Sequence, residues 1–291
     1  MVKKYSELYQ EARQTLINAG EEPREAGVLA RQMLAFLSGK SNAQLIADSE
    51  KYAQDNVIEA MDAAIKRLAA GEPMAYVMGE WEFYGLNLVV TPDVLIPRDD
   101  TVAVAEIAIN QALFLEEKPR ILDLCTGSGC IGLAIASRVK DAKVTLADLS
   151  REALAVAKKN VTNHHMSGRV SCVHVDALAE PPVFLGQFDM IVSNPPYITG
   201  KEMEELDRSV KDYEPHMALF GGEDGLDFYR AIAKNFRKCL KPGGYLCFEF
   251  GDTQADAVCQ ILTGNGFTIR DRVRDYNKIE RAVIAQYCRE D

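Results

Sequence analysis

The residues Asn194-Pro195-Pro196-Tyr197 directly follow the apolar run Phe188-Asp189-Met190-Ile191-Val192-Ser193. Their types suit one kind of chemistry, the transfer of a methyl group to a planar nitrogen. An amide or exocyclic amine is a poor nucleophile because its lone pair is delocalised. A catalyst must therefore hold the NH2 group by its hydrogens and aim the nitrogen at an electrophilic carbon. Asn194 supplies a side-chain carbonyl acceptor. Pro195, lacking an N–H and fixed in φ, offers a backbone carbonyl in a set direction, while Pro196 keeps the loop out of helical geometry. Tyr197 provides a flat face for the substrate. The same residues also read as an ordinary strand end with a proline-rich turn, so the upstream sequence has to decide.

Upstream, Ile121-Leu122-Asp123-Leu124-Cys125-Thr126-Gly127-Ser128-Gly129-Cys130-Ile131-Gly132 reads as a strand, a glycine-rich turn and a helix start, a turn that brings bare backbone against a ligand. It contains G-x-G-x-x-G, and Asp148 follows Gly127 at a dinucleotide-binding distance, so an NAD site competes. Two features favour S-adenosylmethionine. Asp123 sits just before the loop, where a carboxylate can pair with the cofactor's ammonium group, and the fourth strand of the series ends in the amide-gripping tetrapeptide, for which hydride transfer has no use. Asp148 ends the strand Val144-Thr145-Leu146-Ala147-Asp148, where a carboxylate can accept both ribose hydroxyls; Asp176 and Ala177 follow the next strand, where the adenine would lie. The structural alternatives are a helix N-cap at Asp148 and a turn residue at Asp176. Their occurrence at successive strand ends favours the ligand.

Alternating strand and helix patterns after Pro119 are expected to position these residues in a mainly parallel sheet with covered faces. Strands are predicted at 120–124, 143–147, 169–175, 188–193, 244–250, 267–273 and 282–287, the last two antiparallel, with helices at 129–139, 151–163, 226–240 and 253–264. Residues 1–72 carry only helical periodicity and predict a small all-α bundle. Residues 73–98 are rich in Gly, Pro, aromatic and β-branched types and predict a β-hairpin linker, in which Trp81, Phe83 and Tyr84 either pack the hairpin or touch a ligand. A helix should start near Asp99-Asp100-Thr101, and the catalytic segment should run over 99–291.

Composition narrows the partners. The 291-residue chain is 47% apolar with a net charge of −10, and residues 1–80 hold nine Lys and Arg against twelve Asp and Glu. Neither part has the basic surplus that duplex DNA binding relies on. No apolar run is long enough for a membrane span, and a cytoplasmic location is the expectation. The seven cysteines and four histidines show neither disulfide nor metal-ligand spacing, so reduced thiols and no metal are expected; His164-His165 reads as a surface helix end.

Asp123-Leu124-Cys125-Thr126-Gly127-Ser128-Gly129, Asn194-Pro195-Pro196-Tyr197, Ile96-Pro97-Arg98 and Tyr213-Glu214-Pro215 together resemble the HemK/PrmC family of protein-glutamine N5-methyltransferases, and the resemblance covers nearly the whole chain. It implies a class I, Rossmann-like methyltransferase with a seven-stranded sheet whose last strand is antiparallel, plus the helical amino-terminal domain. It also implies S-adenosylmethionine as cofactor, S-adenosylhomocysteine as product, and the glutamine of the Gly-Gly-Gln loop of class-I peptide chain release factors as substrate. Cys125 to Gly129, Asp148 and Ala177 would then line the cofactor, and Asn194 to Tyr197 would hold the glutamine. The chain departs from the family where Thr101 is followed by Val102 instead of Glu, and Cys125 stands where many methyltransferases have Gly. The rival readings are a glutamine methyltransferase of a ribosomal protein, an adenine-N6 methyltransferase, and a non-catalytic cofactor-binding module. The helical domain would either contact the protein substrate or stabilise the catalytic part.

Overall fold

The computed structural model describes residues 2–115, 118–275 and 277–288; positions 1 and 289–291, the ends of the two expected segments, lie outside them. The chain divides into two compact units. The first runs to Glu80 and takes in Asp207–Tyr213; the second holds the remainder.

The first unit contains helices α1 (Tyr5–Asn18), α2 (Pro23–Ser38), α3 (Asn42–Ala47), α4 (Asp55–Ala69) and α5 (Met74–Met78). Pro23 occupies the first turn of α2, where its missing N–H costs nothing, and Gly39 ends that helix in the left-handed region at φ 64°. Leu8, Leu16, Met33, Leu34, Met61 and Ile65 form its core. These helices are too short to hold in isolation and draw their stability from that shared core. The hydroxyl of Tyr213 donates to the carbonyl of Ala70 at 2.9 Å, tying the returning segment to the end of α4.

In the second unit the hairpin is shorter than expected. Strands β1 (Glu80–Phe83) and β2 (Leu86–Val89) meet at Tyr84-Gly85, both at positive φ (52° and 79°), as a tight two-residue turn demands. The segment 73–98 thus divides into α5, the hairpin, and an irregular stretch. Apolar composition alone does not separate a short helix from a strand. Phe83 is buried in the core and Tyr84 packs beneath Arg138. A single 3-10 turn, Asp99–Thr101, leads into α6 (Val102–Leu113).

The sheet is made of β3 (Arg120–Leu124), β4 (Lys143–Asp148), β5 (Val170–His174), β6 (Phe188–Ser193), β7 (Leu240–Glu249), β8 (Phe267–Arg274) and β9 (Glu280–Tyr287), in the spatial order β5-β4-β3-β6-β7-β9-β8. The first five are parallel and β9 is antiparallel to both β7 and β8. Helices α7 (Cys130–Arg138) and α8 (Arg151–Asn163) join α6 over one core; α9 (Gly200–Glu205) and α10 (Arg208–Lys211) follow β6. Helices α11 (Asp227–Asn235) and α12 (Ala255–Gly264) cover the other face. Strand order reverses between β3 and β6, and ligands of open parallel sheets bind in the crevice at that switch point. Among the described residues no helix is long and apolar enough to cross a membrane. His164 caps α8 and His165 follows at φ 56°.

Candidate active site

The carboxyl ends of β3, β4, β5 and β6 open onto a cleft lined by Cys125, Asp148, Asp176 and Asn194 among others. Between β3 and α7 the chain turns at Cys125 (φ 61°), Gly127 (φ 53°) and Gly129 (φ 85°). Cys125 holds a left-handed conformation that costs a non-glycine residue roughly 1 kcal/mol. Its thiol is pushed well above the ordinary range by burial, which makes it a packing group rather than a nucleophile. A side chain on Gly127 would meet only open space, whereas Gly129 lies against Leu146, Leu133 and Ala157, and a Cβ on Gly132 would run into Leu146. Gly127 thus serves approach to a ligand, and Gly129 and Gly132 serve the packing of helix on sheet.

Asp123 is fully buried, and Oδ2 accepts from the Thr126 hydroxyl at 2.5 Å and the Gly132 amide at 2.9 Å. Burial pushes its carboxyl up to about 7 against those two bonds. It braces the loop through those bonds, its Oδ1 is buried without a partner, and it is not among the residues lining the cleft. Ser128 lines the cleft with its Oγ turned into the protein, near the Cys130 thiol.

Asp148 projects from the end of β4 into the cleft. Oδ2 accepts from Gly127 N at 2.8 Å and Oδ1 from Ser150 N at 2.9 Å. The N-cap of α8 is Ser150, whose side chain accepts from Ala153 N, so Asp148 is free of capping. Its carboxyl is raised, chiefly by burial, and keeps unused lone pairs facing the cleft. Asp176 accepts from Leu178 N at 2.8 Å, the turn role considered from sequence, and also lines the cleft beside Ala177.

The loop after β6 carries Asn194, whose Nδ2 donates to Thr101 Oγ1 at 3.3 Å. Asn194 and Pro196 line the cleft; Pro195 is buried beside them, and Tyr197 faces a second cleft with Gln254 and Arg281. Tyr197's phenol is pushed up by burial. The loop is held by residues that sequence periodicity does not reveal. Gln254 Nε2 donates to the Tyr197 carbonyl at 3.0 Å and to that of Gly225 at 3.3 Å, while Ile198 N donates to the Leu219 carbonyl and Gly221 N to the Ile198 carbonyl, both at 2.9 Å. Added Cβ atoms on Gly221 and Gly225 would run into the backbone of Pro196 and Tyr197.

Two further buried carboxylates, Glu214 and Glu249, hold the walls of the site. Glu214 accepts from Ile96 N at 3.2 Å and pairs with the Arg98 guanidinium, fixing Pro97 and Arg98 in the wall of the cleft. Glu249, at the end of β7, is 1% exposed, and the Thr101 and Asn194 side chains beside it favour its charged form against burial. Burial raises it to about 8. Val102, in place of the family's Glu, starts α6 and is not among the residues lining the cleft; its neighbour Thr101 is. On α8, buried Asn160 bonds both polar groups of Val89 and the Ser128 carbonyl, joining hairpin to glycine-rich loop. The Asp/Asn and Gly/Pro spacing found the cleft; the long-range partners carried no local pattern.

A crevice at the switch point, with a glycine turn, a strand-end carboxylate and an Asn-Pro-Pro-Tyr loop converging on it, defines a methyltransferase of the class I, Rossmann-like fold. A methyltransferase from Pyrococcus furiosus shares that fold, at 18% identity and a TM-score of 0.51 over 77% of this chain and 98% of its own. Residues 7–79 match the PrmC N-terminal domain and 105–210 the methyltransferase small domain. The release factor glutamine methyltransferase of Clostridium acetobutylicum is 38% identical over 87% of this chain and 88% of its own. That of Chlorobaculum tepidum is 38% identical over 90% of each. The chain belongs to the release factor glutamine methyltransferase family.

Proposed function

We propose that this enzyme transfers the methyl group of S-adenosylmethionine to the side-chain amide nitrogen, N5, of the glutamine in the Gly-Gly-Gln motif of class-I peptide chain release factors. S-adenosylhomocysteine remains, and the amide proton is lost. The observation that carries the reading is the commitment of Asn194 Nδ2 to Thr101, which leaves Oδ1 as the acceptor for a substrate N–H. The Pro195 carbonyl is assigned the second hydrogen. Together they turn the lone pair toward the methyl carbon and stabilise the positive charge that grows on nitrogen.

The cleft residues fit the cofactor. Asp148 accepts ribose hydroxyls, the apolar Val175, Ala177 and Leu149 flank the adenine beside Asp176, and the open face of Gly127 meets the amino-acid end. The cofactor supplies an electrophilic methyl on a sulfonium. Asp123 acts through Thr126 and Gly132 as a brace. Catalysis is positioning and exclusion of water, and no residue of the chain is required as nucleophile or metal ligand. The net charge of −10 argues against duplex DNA as substrate, a cytoplasmic location follows from the release-factor substrate, and the helical unit is assigned recognition of the protein partner.

Incubation with labelled S-adenosylmethionine and purified release factors, ribosomal proteins and DNA in parallel, followed by mass spectrometry, tests this. Label is expected on the release-factor glutamine and absent with Asn194→Ala. Labelled DNA or ribosomal protein beside an unlabelled release factor would overturn it.

A further inference from the structure

Glu249 is a buried carboxyl to which the chemistry proposed above gives no part. Its residue is 1% exposed, it sits between the fully buried Phe248 and Phe250, and its Oε2 has no hydrogen-bond partner. The hydroxyl of buried Tyr229 donates to its backbone carbonyl at 2.9 Å, fixing where the side chain starts. Arg281, which acts on it electrostatically, makes its ion pairs with Asp275 and Asp100. A buried carboxyl without a paired cation opposes folding, and an apolar or neutral side chain of similar size would serve the core better.

Resting on the reading proposed above, we infer that Glu249 is a positioning residue that sets which end of the Asn194 amide faces the substrate. An Asn amide is nearly symmetric in shape, so packing alone does not choose between Oδ1 and Nδ2 in a given direction. Turned the wrong way, Asn194 would present donors to a donor NH2 group. Thr101 alone does not choose either, because a hydroxyl both donates and accepts. A carboxylate only accepts. With Thr101 and Asn194 both beside it, the ionised Glu249 is assigned the Thr101 hydrogen, which leaves Thr101 Oγ1 as the acceptor for Asn194 Nδ2 at 3.3 Å. Both hydrogens of Asn194 then point inward and Oδ1 is left for the substrate.

The test compares wild type, Glu249→Gln, Thr101→Val and the double variant. Gln keeps the size of Glu but can donate as well as accept, so the direction of the chain is no longer fixed. Above about pH 8, where Glu249 is ionised, Glu249→Gln should lower kcat about tenfold, the weight of one oriented hydrogen bond. KM for the methyl acceptor and affinity for S-adenosylhomocysteine should stay within about twofold, and Tm should be unchanged or higher. Thr101→Val should lose kcat alone in the same way, and the double variant should lose no more than the worse single one, because both act through one chain. The Asn194 side-chain NH2 signals, assigned by their loss in Asn194→Ala, should exchange slowly with solvent in wild type and faster in Glu249→Gln. The pH dependence gives a further readout: kcat should rise as Glu249 ionises and lose this limb in the Gln variant. Asp100, Arg281, Tyr197, Tyr229 and Cys130 also interact electrostatically with this carboxyl.

Unchanged kcat and unchanged Asn194 exchange in Glu249→Gln would overturn the inference. So would a kcat loss matched by losses of S-adenosylhomocysteine affinity and Tm, or losses that multiply in the double variant. Failure of wild type to label the release factor would fall on the substrate reading, whereas the Asn194 exchange experiment needs no substrate and judges Glu249 separately.

Discussion

Asp148 shows how one side chain satisfies two demands. Its oxygens hold Gly127 N and Ser150 N, shaping the mouth of the cleft, and the remaining lone pairs face the ribose position of the proposed cofactor. Asp148→Asn replaces one acceptor by a donor and should weaken S-adenosylhomocysteine binding by about ten- to a hundredfold, the range for hydrogen bonds to a charged group. Isothermal titration calorimetry measures this, and an affinity equal to wild type would remove Asp148 from the ribose role. Asp123 carries the same functional group and a different fate. Buried and bonded to Thr126 and Gly132, it shapes the loop that others present. Sequence spacing placed both carboxylates at strand ends, and burial separated their duties.

At the scale of elements, the Asn194-Pro195-Pro196-Tyr197 loop is held by a neighbouring loop rather than by its own strand. Gly225, at φ 70°, lies so close to the Tyr197 carbonyl and Gln254 that no side chain fits. It is not among the residues lining the cofactor cleft. Gly225→Ala should therefore cost roughly 1–3 kcal/mol of stability through strain and overpacking and lower kcat sharply while S-adenosylhomocysteine affinity holds. Urea unfolding and calorimetry on the same preparation separate the two effects. A parallel loss of cofactor affinity would mean that the loop and the cofactor wall move as one piece. The stretch from Phe220 to Gly225 has no periodicity for a sequence pattern to register, since its role is to let two backbones approach.

For the whole molecule, two buried carboxyls set the sign of the pH dependence. Burial raises Asp123 to about 7 and Glu249 to about 8, both above their ordinary values. The folded state therefore keeps protons that the unfolded chain releases near pH 4. Stability from these groups is greatest at the acid end of that window and declines as pH rises to about 8. Asp48 and Asp224 are held low by hydrogen bonds from Lys40 and Arg230, so their contribution is lost only at lower pH, through their own depressed range. Unfolding free energies measured between about pH 5 and 9 should fall with pH, and Glu249→Gln should flatten the upper part of that slope. A wild-type curve rising over this interval would contradict the assignment of both groups.

The apolar alternation of β3, β4 and β6 and the helical spacing of α1, α2 and α4 are local signals, and they specify elements because burying an apolar stripe depends on residues close in sequence. The glycine turn from Cys125 to Gly129, Asp148 at its strand end and the Asn-Pro-Pro-Tyr loop are legible for the same reason: each is a short run whose backbone or side-chain chemistry is its own. Other features rest on partners far apart in the chain. Glu214 reaches Ile96 and Arg98, Asn160 reaches Val89 and Ser128, Gln254 reaches Tyr197, and Glu249 lies beside Thr101 and Asn194. Only the folded sheet brings these ends together, and only there does burial decide that Asp123 braces, Asp148 faces the cleft and Glu249 sits behind Asn194. The sequence by itself determined the kinds of groups and the elements that carry them; the tertiary structure decided which hydrogen bonds each group has left to offer, because that depends on which neighbours have already taken the others.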